Sequence, residues 1–327
     1  MIIITGQTAT GKTRLALEYA VKYNGELVNF DSRQVYKYLD IITGKDLPAK
    51  TGVEALGIPT KRRDPSIFAD GPEHRMGKMP RQAPSVWLYD AVTPDQYFSS
   101  YDFVQQATKV IRDIQRRGKI PVLVGGSYFY LKHLLYGFDY KVPPNFKLRE
   151  KLNKKSISEL QQTLISLNPL IPPTMNHSDW NNPRRLIRRI EIETARKAKI
   201  PNFFAPWDVF HDSGKGTHLS KKISVSSFLF IGLRYKDKEK LREAIKTRVE
   251  NRLKQGAIEE VKSLLKRGYK KTDPGLKTIG YKQIIDYLEG KISKEKAIEQ
   301  WINAETQYAK RQYTFMKKDP NIKWQEI

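Results

Sequence analysis

The chain has 327 residues and a formal net charge of +24, from 59 lysine and arginine residues against 35 aspartate and glutamate residues. It contains no cysteine, which excludes disulfide bonds, thiolate metal sites and cysteine nucleophiles. An excess of positive charge this large favours a polyanionic partner such as nucleic acid, although a surface charged only for solubility would have a similar composition.

The sequence does not indicate a membrane protein. No stretch approaches the roughly 20 apolar residues that are needed to cross a bilayer. Only four apolar residues precede Thr5, without the basic and long apolar regions of a signal peptide. We therefore expect a cytoplasmic protein without a membrane partner, and we expect it to act as a monomer.

The first part of the chain alternates predicted strands and helices. We predict a strand over 1–5, a helix over 13–23 and strands over 26–30 and 86–89, then a helix over 101–117 and strands over 120–124 and 227–233. Residues 48–84, with 6 prolines and 4 glycines, are predicted to form an irregular excursion. The alternation predicts an α/β fold, with a parallel sheet covered by helices on both faces.

Residues 141–200 have a different composition. They are predicted to be helical and hold 13 lysine and arginine residues against 5 acidic residues. We therefore predict two parts: a P-loop core made of residues 1–140 and 201–327, and a basic helical insertion over 141–200. Beyond residue 237 the pattern predicts helices almost to the end of the chain.

A phosphate-binding loop follows the first predicted strand. The segment has the pattern G-x4-G-K-T and consists of Gly6, Gln7, Thr8, Ala9, Thr10, Gly11, Lys12 and Thr13. Its position between a strand and a helix is the one that the motif requires, because the loop must wrap an anion at the positive end of the helix. Lys12 is predicted to contact phosphate oxygens and Thr13 to ligate Mg²⁺. The motif indicates polyphosphate binding without identifying the polyphosphate.

Polar residues also follow the other predicted strands. Asp31 ends the second strand and is expected either to face the phosphate site or to cap the next short helix. Asp90, after the third strand, is similar to the metal-holding aspartate of nucleotide hydrolases, which keeps a P-loop kinase or NTPase as an alternative. Ser127, after Gly125 and Gly126, belongs to a turn or contacts a ligand, and the turn is the default interpretation.

Taken together, the motifs resemble those of the tRNA dimethylallyltransferases. The ordered set comprises the loop Gly6–Thr13, the segment Asp31–Tyr36, Thr43-Gly44-Lys45, Val124-Gly125-Gly126-Ser127, the segment Asn181–Arg188, Ile279-Gly280-Tyr281-Lys282 and Tyr308–Gln312. The match runs from residue 1 to about 324, in the order and spacing of that family. The resemblance implies transfer of a dimethylallyl group from dimethylallyl diphosphate to the N6 amine of the adenosine 3′ of the anticodon.

The resemblance also implies roles for individual residues. Asp31 would act as the catalytic base towards the amine. Lys12, Thr13, the loop amides and Mg²⁺ would hold the diphosphate leaving group, with Arg248 as a further cation. Contacts with the tRNA anticodon stem-loop are implied for Asp31, Ser32, Arg33, Gln34, Ser127, Arg149, Arg184, Arg185, Leu186, Ile187 and Arg188.

The sequence departs from the family pattern near the expected diphosphate site. The helix after Gly232 normally carries three arginines, and here Lys238 and Ala244 replace two of them, so that Arg248 alone remains. The segment 305–312 also lacks its first arginine. Arg234, Lys238 and Arg242 are candidate replacements. A surface ion pair of Arg248 with Glu243 or Glu250 is the alternative to a role in the site.

Three further alternatives remain open from the residues alone. A kinase or NTPase acting on a small molecule would account for the phosphate loop, but it would not need the basic insertion. The insertion also argues against a prenyltransferase that acts on free adenine nucleotides. A catalytically inactive RNA-binding protein would not need the intact loop and Asp31.

Overall fold

The structure is a computed structural model, and it describes residues 1–45, 61–62, 84–138, 142, 144–198 and 228–327. These residues belong to two compact units. The core unit comprises the described residues of Met1–Tyr136 and Val209–Ile327, and the helical unit comprises those of Gly137–Asp208. The basic stretch 141–200 falls within the helical unit, whose limits extend a few residues beyond it on both sides.

A parallel sheet forms the centre of the core unit. Among the described residues it has seven strands in the order β3-β4-β2-β5-β1-β6-β7, and every neighbouring pair is parallel. The strands are β1 (Ile2–Gly6), β2 (Gly25–Asn29), β3 (Lys61–Arg62), β4 (Ser85–Trp87), β5 (Ile120–Val124), β6 (Leu229–Arg234) and β7 (Lys323–Glu326). The predicted α/β class with its parallel sheet is confirmed.

The helices are, in chain order, α1 (Lys12–Lys22), α2 (Ser100–Arg116), α3 (Tyr128–Tyr136), α4 (Phe146–Leu152), α5 (Ile157–Leu167), α6 (His177–Trp180), α7 (Pro183–Lys197), α8 (Lys238–Lys254), α9 (Ala257–Lys266), α10 (Tyr281–Leu288) and α11 (Lys294–Met316). Helices α4 to α7 belong to the helical unit. α2 begins where Ser99 and Asp102 form a capping box, which satisfies amide groups that have no partner within the helix.

Two edge strands and one strand end differ from the sequence prediction. β3, residues 61–62, lies within 48–84, which was predicted to be irregular. Apart from β3, residues 48–83 are outside the described residues. β7 follows the last helix, where the prediction continued the helices almost to the end. β4 ends at Trp87 instead of residue 89, because Leu88 and Asp90 adopt positive φ angles of 62° and 57°.

The packing of α1 on the sheet fixes the position of the phosphate loop. Ile2 and Ile4 of β1 and Leu17 and Ala20 of α1 belong to one buried cluster. Successive strand residues point to opposite faces, so Ile2 and Ile4 share the face that α1 covers. Loop residues between β1 and α1 are therefore held at the carboxyl end of a central strand, where ligands bind in parallel α/β sheets.

The helical unit has its own apolar core. Leu160 and Leu164 of α5 pack with Leu186, Ile187 and Ile190 of α7. Asn182 caps the start of α7: its side chain accepts from the amides of Arg184 and Arg185, and Pro183 takes the first helical position. No helix among the described residues is both long and apolar enough to span a bilayer.

Candidate active site

The start of the phosphate loop packs against strand β6. A Cβ atom on Gly6, where φ is 139°, would lie 2.2 Å from the carbonyl oxygen of Leu233. The next amide, that of Gln7, donates to the same oxygen at 3.1 Å. Gly6 is therefore needed for the close approach of two strands. The structure does not bring Gly6 and Gln7 into the cavity described next, although both were predicted to bind phosphate.

The rest of the loop lines a cavity of about 890 Å³ in the core unit. The lining side of the loop consists of Thr8, Ala9, Thr10, Gly11, Lys12 and Thr13. Gly11 precedes α1 with a φ of 74°, a left-handed conformation that suits glycine. Amides in the first turn of a helix have no partner within it and carry its positive partial charge. The cavity therefore has an anion-binding end at α1.

Lys12 is a basic residue at this end of the cavity. Its ammonium group donates to the carbonyl of Gln7. Desolvation in the cavity wall, and next to it the charge of Arg248, lower the pKa of Lys12 to about 7. An anion beside Lys12 would favour its charged form, so this group is suited to bind a phosphate.

Thr13 lines the cavity next to Lys12, in the first turn of α1. No group of three histidine or acidic side chains that would hold a metal occurs in the described part of the chain. Mg²⁺ does not need such a cluster when one or two protein oxygens and the phosphates of a substrate bind it. The Thr13 hydroxyl fits that pattern of ligands.

Asp31 lines the same cavity at the end of β2. Its amide donates to Asn29 at 2.9 Å, and its Oδ1 atom accepts from the amide of Arg33 at 3.0 Å. Its Oδ2 atom is 3.4 Å from where a Cβ atom of Gly126 would lie. Asp31 therefore lines the cavity, and its Oδ1 atom holds a turn. It does not cap a helix, because residues 32–45 contain turns and no helix.

Ser127 ties the end of β5 to the end of β2. Its hydroxyl accepts from the amide of Ser32 at 2.9 Å and lies 2.9 Å from the Ser32 hydroxyl. A Cβ atom on Gly125 would lie 2.8 Å from the amide nitrogen of Asp31. Ser32 and Ser127 do not line the cavity; they hold the turn that carries Asp31.

Gln34 fixes a second turn at the cavity. Its side-chain amide donates to the carbonyls of Thr43 and Gly44 at 3.2 and 2.7 Å. Gly44 has a φ of 66°. Since all three residues line the cavity, Gln34 acts on this site through the backbone that it positions.

Arg33 lines the cavity and contacts two residues of α11. It donates to Glu305 at 2.9 Å, and its guanidinium carbon lies 3.7 Å from the centre of the Tyr308 ring. Glu305 is only 3% exposed. Burial raises the pKa of Glu305, but the charges of Arg33, Arg248 and Arg252 outweigh that effect and keep it below the usual value. Glu305 is therefore an anionic group facing three guanidinium groups.

Two arginines of α8, Arg248 and Arg252, line the same cavity. Arg248 donates to the hydroxyl of Thr8 in the phosphate loop, so the alternative surface pair with Glu243 or Glu250 is not what the structure contains. Arg252, one turn further along α8, also lines the cavity and donates to the carbonyl of Ile42.

Sequence reasoning missed Arg252 and Glu305. A four-residue spacing places Arg252 on the helix face of Arg248, and Glu305 lies three residues before Tyr308 on α11. Both spacings would have identified them. The three candidate replacements Arg234, Lys238 and Arg242 do not line the cavity. Arg234 donates to Glu326, and Arg242 donates to Asn303 at 3.0 Å.

Asp90 does not line the cavity. Its carboxylate accepts from Lys45, which also donates to Asp40 at 3.0 Å. The side chain of Lys45 is fully buried. Asp90 thus pairs with a buried lysine, and the phosphate loop is the observation that a kinase or NTPase would still share.

The remaining predicted tRNA contacts lie in the helical unit. Arg149 donates to Glu191 at 3.0 and 2.8 Å, and Arg188 donates to the same carboxylate and to the carbonyl of Val142. Arg185 forms an ion pair with Asp179.

The three residues that complete this set differ in exposure. Arg184 is exposed, whereas Leu186 and Ile187 are 0% and 5% exposed. The side chains of Leu186 and Ile187 therefore build the core of the unit, and Arg184 presents its charge to the surface.

Fold and cavity together define an α/β enzyme with a phosphate loop, in which an anion-binding end and a carboxylate line one space. The family model described as IPP transferase matches residues 77–319. A tRNA dimethylallyltransferase of Thermoanaerobacter sp. (strain X514) is 32% identical over 329 residues, covering 99% of this chain and 90% of the relative. One from Carboxydothermus hydrogenoformans is 34% identical, with coverage of 99% and 91%.

Solved structures agree with the sequence comparison. The tRNA isopentenylpyrophosphate transferase from Bacillus halodurans is 28% identical with a TM-score of 0.61, covering 99% of this chain and 89% of that one. A eukaryotic dimethylallyltransferase acting on tRNA is 26% identical with a TM-score of 0.69, covering 100% of this chain and 73% of that one. The chain belongs to the IPP transferase family and is an enzyme, a prenyltransferase.

Proposed function

We propose that this enzyme transfers a dimethylallyl group from dimethylallyl diphosphate to the N6 amine of the adenosine 3′ of the anticodon in tRNA. The observation that carries the proposal is that Asp31 and the phosphate loop line one cavity in a member of the IPP transferase family. A base and an anion-binding loop in one space are what a transfer from a diphosphate to an amine needs.

The donor diphosphate binds at the α1 end of the cavity. Lys12, the amides of the first turn of α1 and Arg248 contact its oxygens and stabilise the charge that develops as the allylic carbon leaves. The Thr13 hydroxyl is the protein ligand of Mg²⁺, which supplies further positive charge to the diphosphate when it is bound. Binding the leaving group more tightly as its charge grows lowers the barrier to transfer.

The acceptor amine lies beside Asp31. The N6 amine of adenine is a weak nucleophile because its lone pair is delocalised into the ring. As the nitrogen bonds to the allylic carbon, the carbon–oxygen bond breaks towards the diphosphate, and Asp31 takes a proton from the nitrogen. Its Oδ1 contact with the Arg33 amide keeps the carboxylate in one orientation.

The tRNA anticodon stem-loop is the macromolecular substrate. The basic residues of 141–200 supply sequence-independent contacts to its phosphates, Arg184 among them, and the target base is flipped out of the loop into the cavity. We further propose that the enzyme acts as a monomer. We also propose that it works in the cytoplasm.

The test is incubation of the full chain with total tRNA, Mg²⁺ and radiolabelled dimethylallyl diphosphate, without ATP. We expect label in tRNA, and nuclease digestion should recover it as N6-isopentenyladenosine. A matched reaction uses unlabelled transcripts of one tRNA that accepts the label. One transcript has the adenosine 3′ of the anticodon, and the other has a different base there. Equal labelling of both transcripts would refute the target base, and no labelling with intact enzyme would refute the donor.

A further inference from the structure

Two guanidinium groups converge on one point of the cavity wall. A Cβ atom on Gly44 would lie 2.5 Å from an Nη2 atom of Arg248 and 2.0 Å from that of Arg252. The two side chains are one turn apart on α8, and Arg252 is only 4% exposed. Arg248 is half-buried, and two like charges side by side at such a place are unfavourable unless an anion lies near both.

The protein supplies only part of that negative charge. Among the described residues, six basic and three acidic side chains line the cavity. The buried carboxylate that faces both guanidinium groups is Glu305, and it already accepts from Arg33 at 2.9 Å. The excess of positive charge at this wall therefore matches a ligand that carries more than one negative charge.

Arg252 is also held in a fixed orientation. One of its nitrogens, Nη1, donates to the carbonyl of Ile42, next to the turn that Gln34 fixes. The Nη2 atom then lies over Gly44, beside Arg248, which contacts the phosphate loop through Thr8. A guanidinium group whose planar fork is oriented in advance loses less entropy when it binds phosphate oxygens.

We propose that Arg252, together with Arg248, binds the diphosphate of the donor. Glu305 is a positioning residue that holds the guanidinium groups together while the cavity is empty. The inference rests on the proposed function, because it assigns a ligand to the same cavity. The ligand class that it requires is a diphosphate, whatever group the diphosphate carries.

The test measures binding of inorganic pyrophosphate to the full chain by calorimetry, without tRNA, and then the KM of dimethylallyl diphosphate at saturating tRNA. Arg252→Gln keeps an amide donor for Ile42. In this variant we expect the Kd of pyrophosphate and the KM of dimethylallyl diphosphate to rise about tenfold or more. Arg252→Lys, which keeps the charge without the fork, should give an intermediate loss. Arg242→Gln is the matched control, since Arg242 is an exposed arginine of the same helix outside the cavity.

A second variant separates ligand binding from support of the turn. Ala244 lines the cavity one turn before Arg248, so Arg252→Gln combined with Ala244→Arg returns a guanidinium group to the site. We expect it to recover at least part of the pyrophosphate affinity.

Unchanged pyrophosphate affinity in Arg252→Gln, or a loss that follows only a lower Tm in both the Gln and Lys variants, would overturn the inference. If pyrophosphate binding depends on Arg252 but the enzyme does not use dimethylallyl diphosphate, the proposed donor is refuted. The assignment of Arg252 to a diphosphate then still holds.

Discussion

Both units of this protein bring arginines together, but they balance the charge in different ways. In the helical unit, Glu191 accepts from Arg149 and Arg188, and it is 1% exposed. Burial raises the pKa of Glu191, but the bonds from Arg149, the Asn145 amide and Arg188 outweigh it and keep the pKa below its usual value. These arginines therefore have an internal partner and support the packing of α4 against α7.

In the core unit three arginines share one buried carboxylate, compared with two in the helical unit. Arg33, Arg248 and Arg252 all face Glu305, while Lys12 lies nearby with a lowered pKa. Sequence patterns do not separate the two cases, because both sets are arginines on amphipathic helices or turns. The position of buried carboxylates does separate them, and it indicates which arginines remain able to bind an external anion.

The largest effect that we expect tests the base at the cavity. Asp31→Asn keeps the shape of the side chain and the Oδ1 contact with the Arg33 amide, but it cannot take a proton. Turnover should fall about 100-fold or more, whereas tRNA binding should change little. Single-turnover transfer and tRNA binding are measured on the same preparation.

Asp90→Asn is the matched control for that change. Asp90 also follows a strand of the sheet, but it pairs with buried Lys45 outside the cavity. We expect a lower Tm and a turnover per folded enzyme that stays within severalfold of the original. A loss of turnover as large as that of Asp31→Asn would mean that Asp90 takes part in the reaction and would contradict its position outside the active site.

The next prediction compares the substitution of one arginine from each unit. Arg248→Ala removes a cation of the cavity, so the KM of dimethylallyl diphosphate should rise about tenfold or more with tRNA affinity preserved. Arg149→Ala should leave that KM unchanged and lower the free energy of unfolding by about 1–3 kcal/mol, because Glu191 loses part of its pairing. Steady-state kinetics and denaturant unfolding are measured on both variants. A raised KM in Arg149→Ala, with a loss of stability alone in Arg248→Ala, would refute the comparison.

The sequence predicted the parts of this molecule that depend on local pattern. The apolar runs of β1, β2 and β5 predicted the parallel sheet, and α1 and α2 begin and end within one residue of the prediction. β7 was missed because a four-residue edge strand that is largely exposed lacks an apolar pattern.

The site was predicted incompletely for a related reason. The phosphate loop and Asp31 follow strand ends, which a parallel sheet brings together at one edge. Arg252 and Glu305 come from distant helices, and their meeting depends on tertiary packing. Gly6 was assigned to an anion although its contact is with Leu233, because a motif does not distinguish a glycine needed for packing from one needed for a ligand.

A smaller effect should appear in the pH dependence of anion binding. The pKa of Lys12 in the empty cavity is lowered to about 7, so much of it is neutral above that pH. A bound diphosphate favours the charged form and raises this pKa, so binding takes up a proton above pH 7. Pyrophosphate affinity should therefore fall as the pH rises, by about fivefold between pH 7 and pH 8.

Lys12→Arg controls for titration of the anion itself. An arginine stays charged throughout this range, so its variant should lose the dependence that Lys12 contributes and keep that of pyrophosphate. Calorimetry in two buffers of different ionisation enthalpy measures the proton uptake directly. Equal uptake by both proteins would contradict the assignment to Lys12.

The smallest effect concerns the surface of the helical unit and the salt dependence of tRNA binding. Arg184 is exposed, whereas Arg188 already donates to Glu191 and Val142. Arg184→Gln should therefore reduce the slope of log K against log salt by about one. Arg188→Gln should reduce it less and should instead lower the Tm.

Replacing Arg184, Arg185 and Arg188 together tests whether arginines with an internal partner also contact tRNA phosphates. Three independent phosphate contacts would reduce the slope by up to about three, but Arg185 pairs with Asp179 and Arg188 with Glu191. We expect a reduction nearer to one than to three. A reduction of three would mean that these arginines exchange their carboxylate partners for tRNA phosphates, so that internal pairing in the free protein would no longer distinguish structural arginines from those that bind an anion.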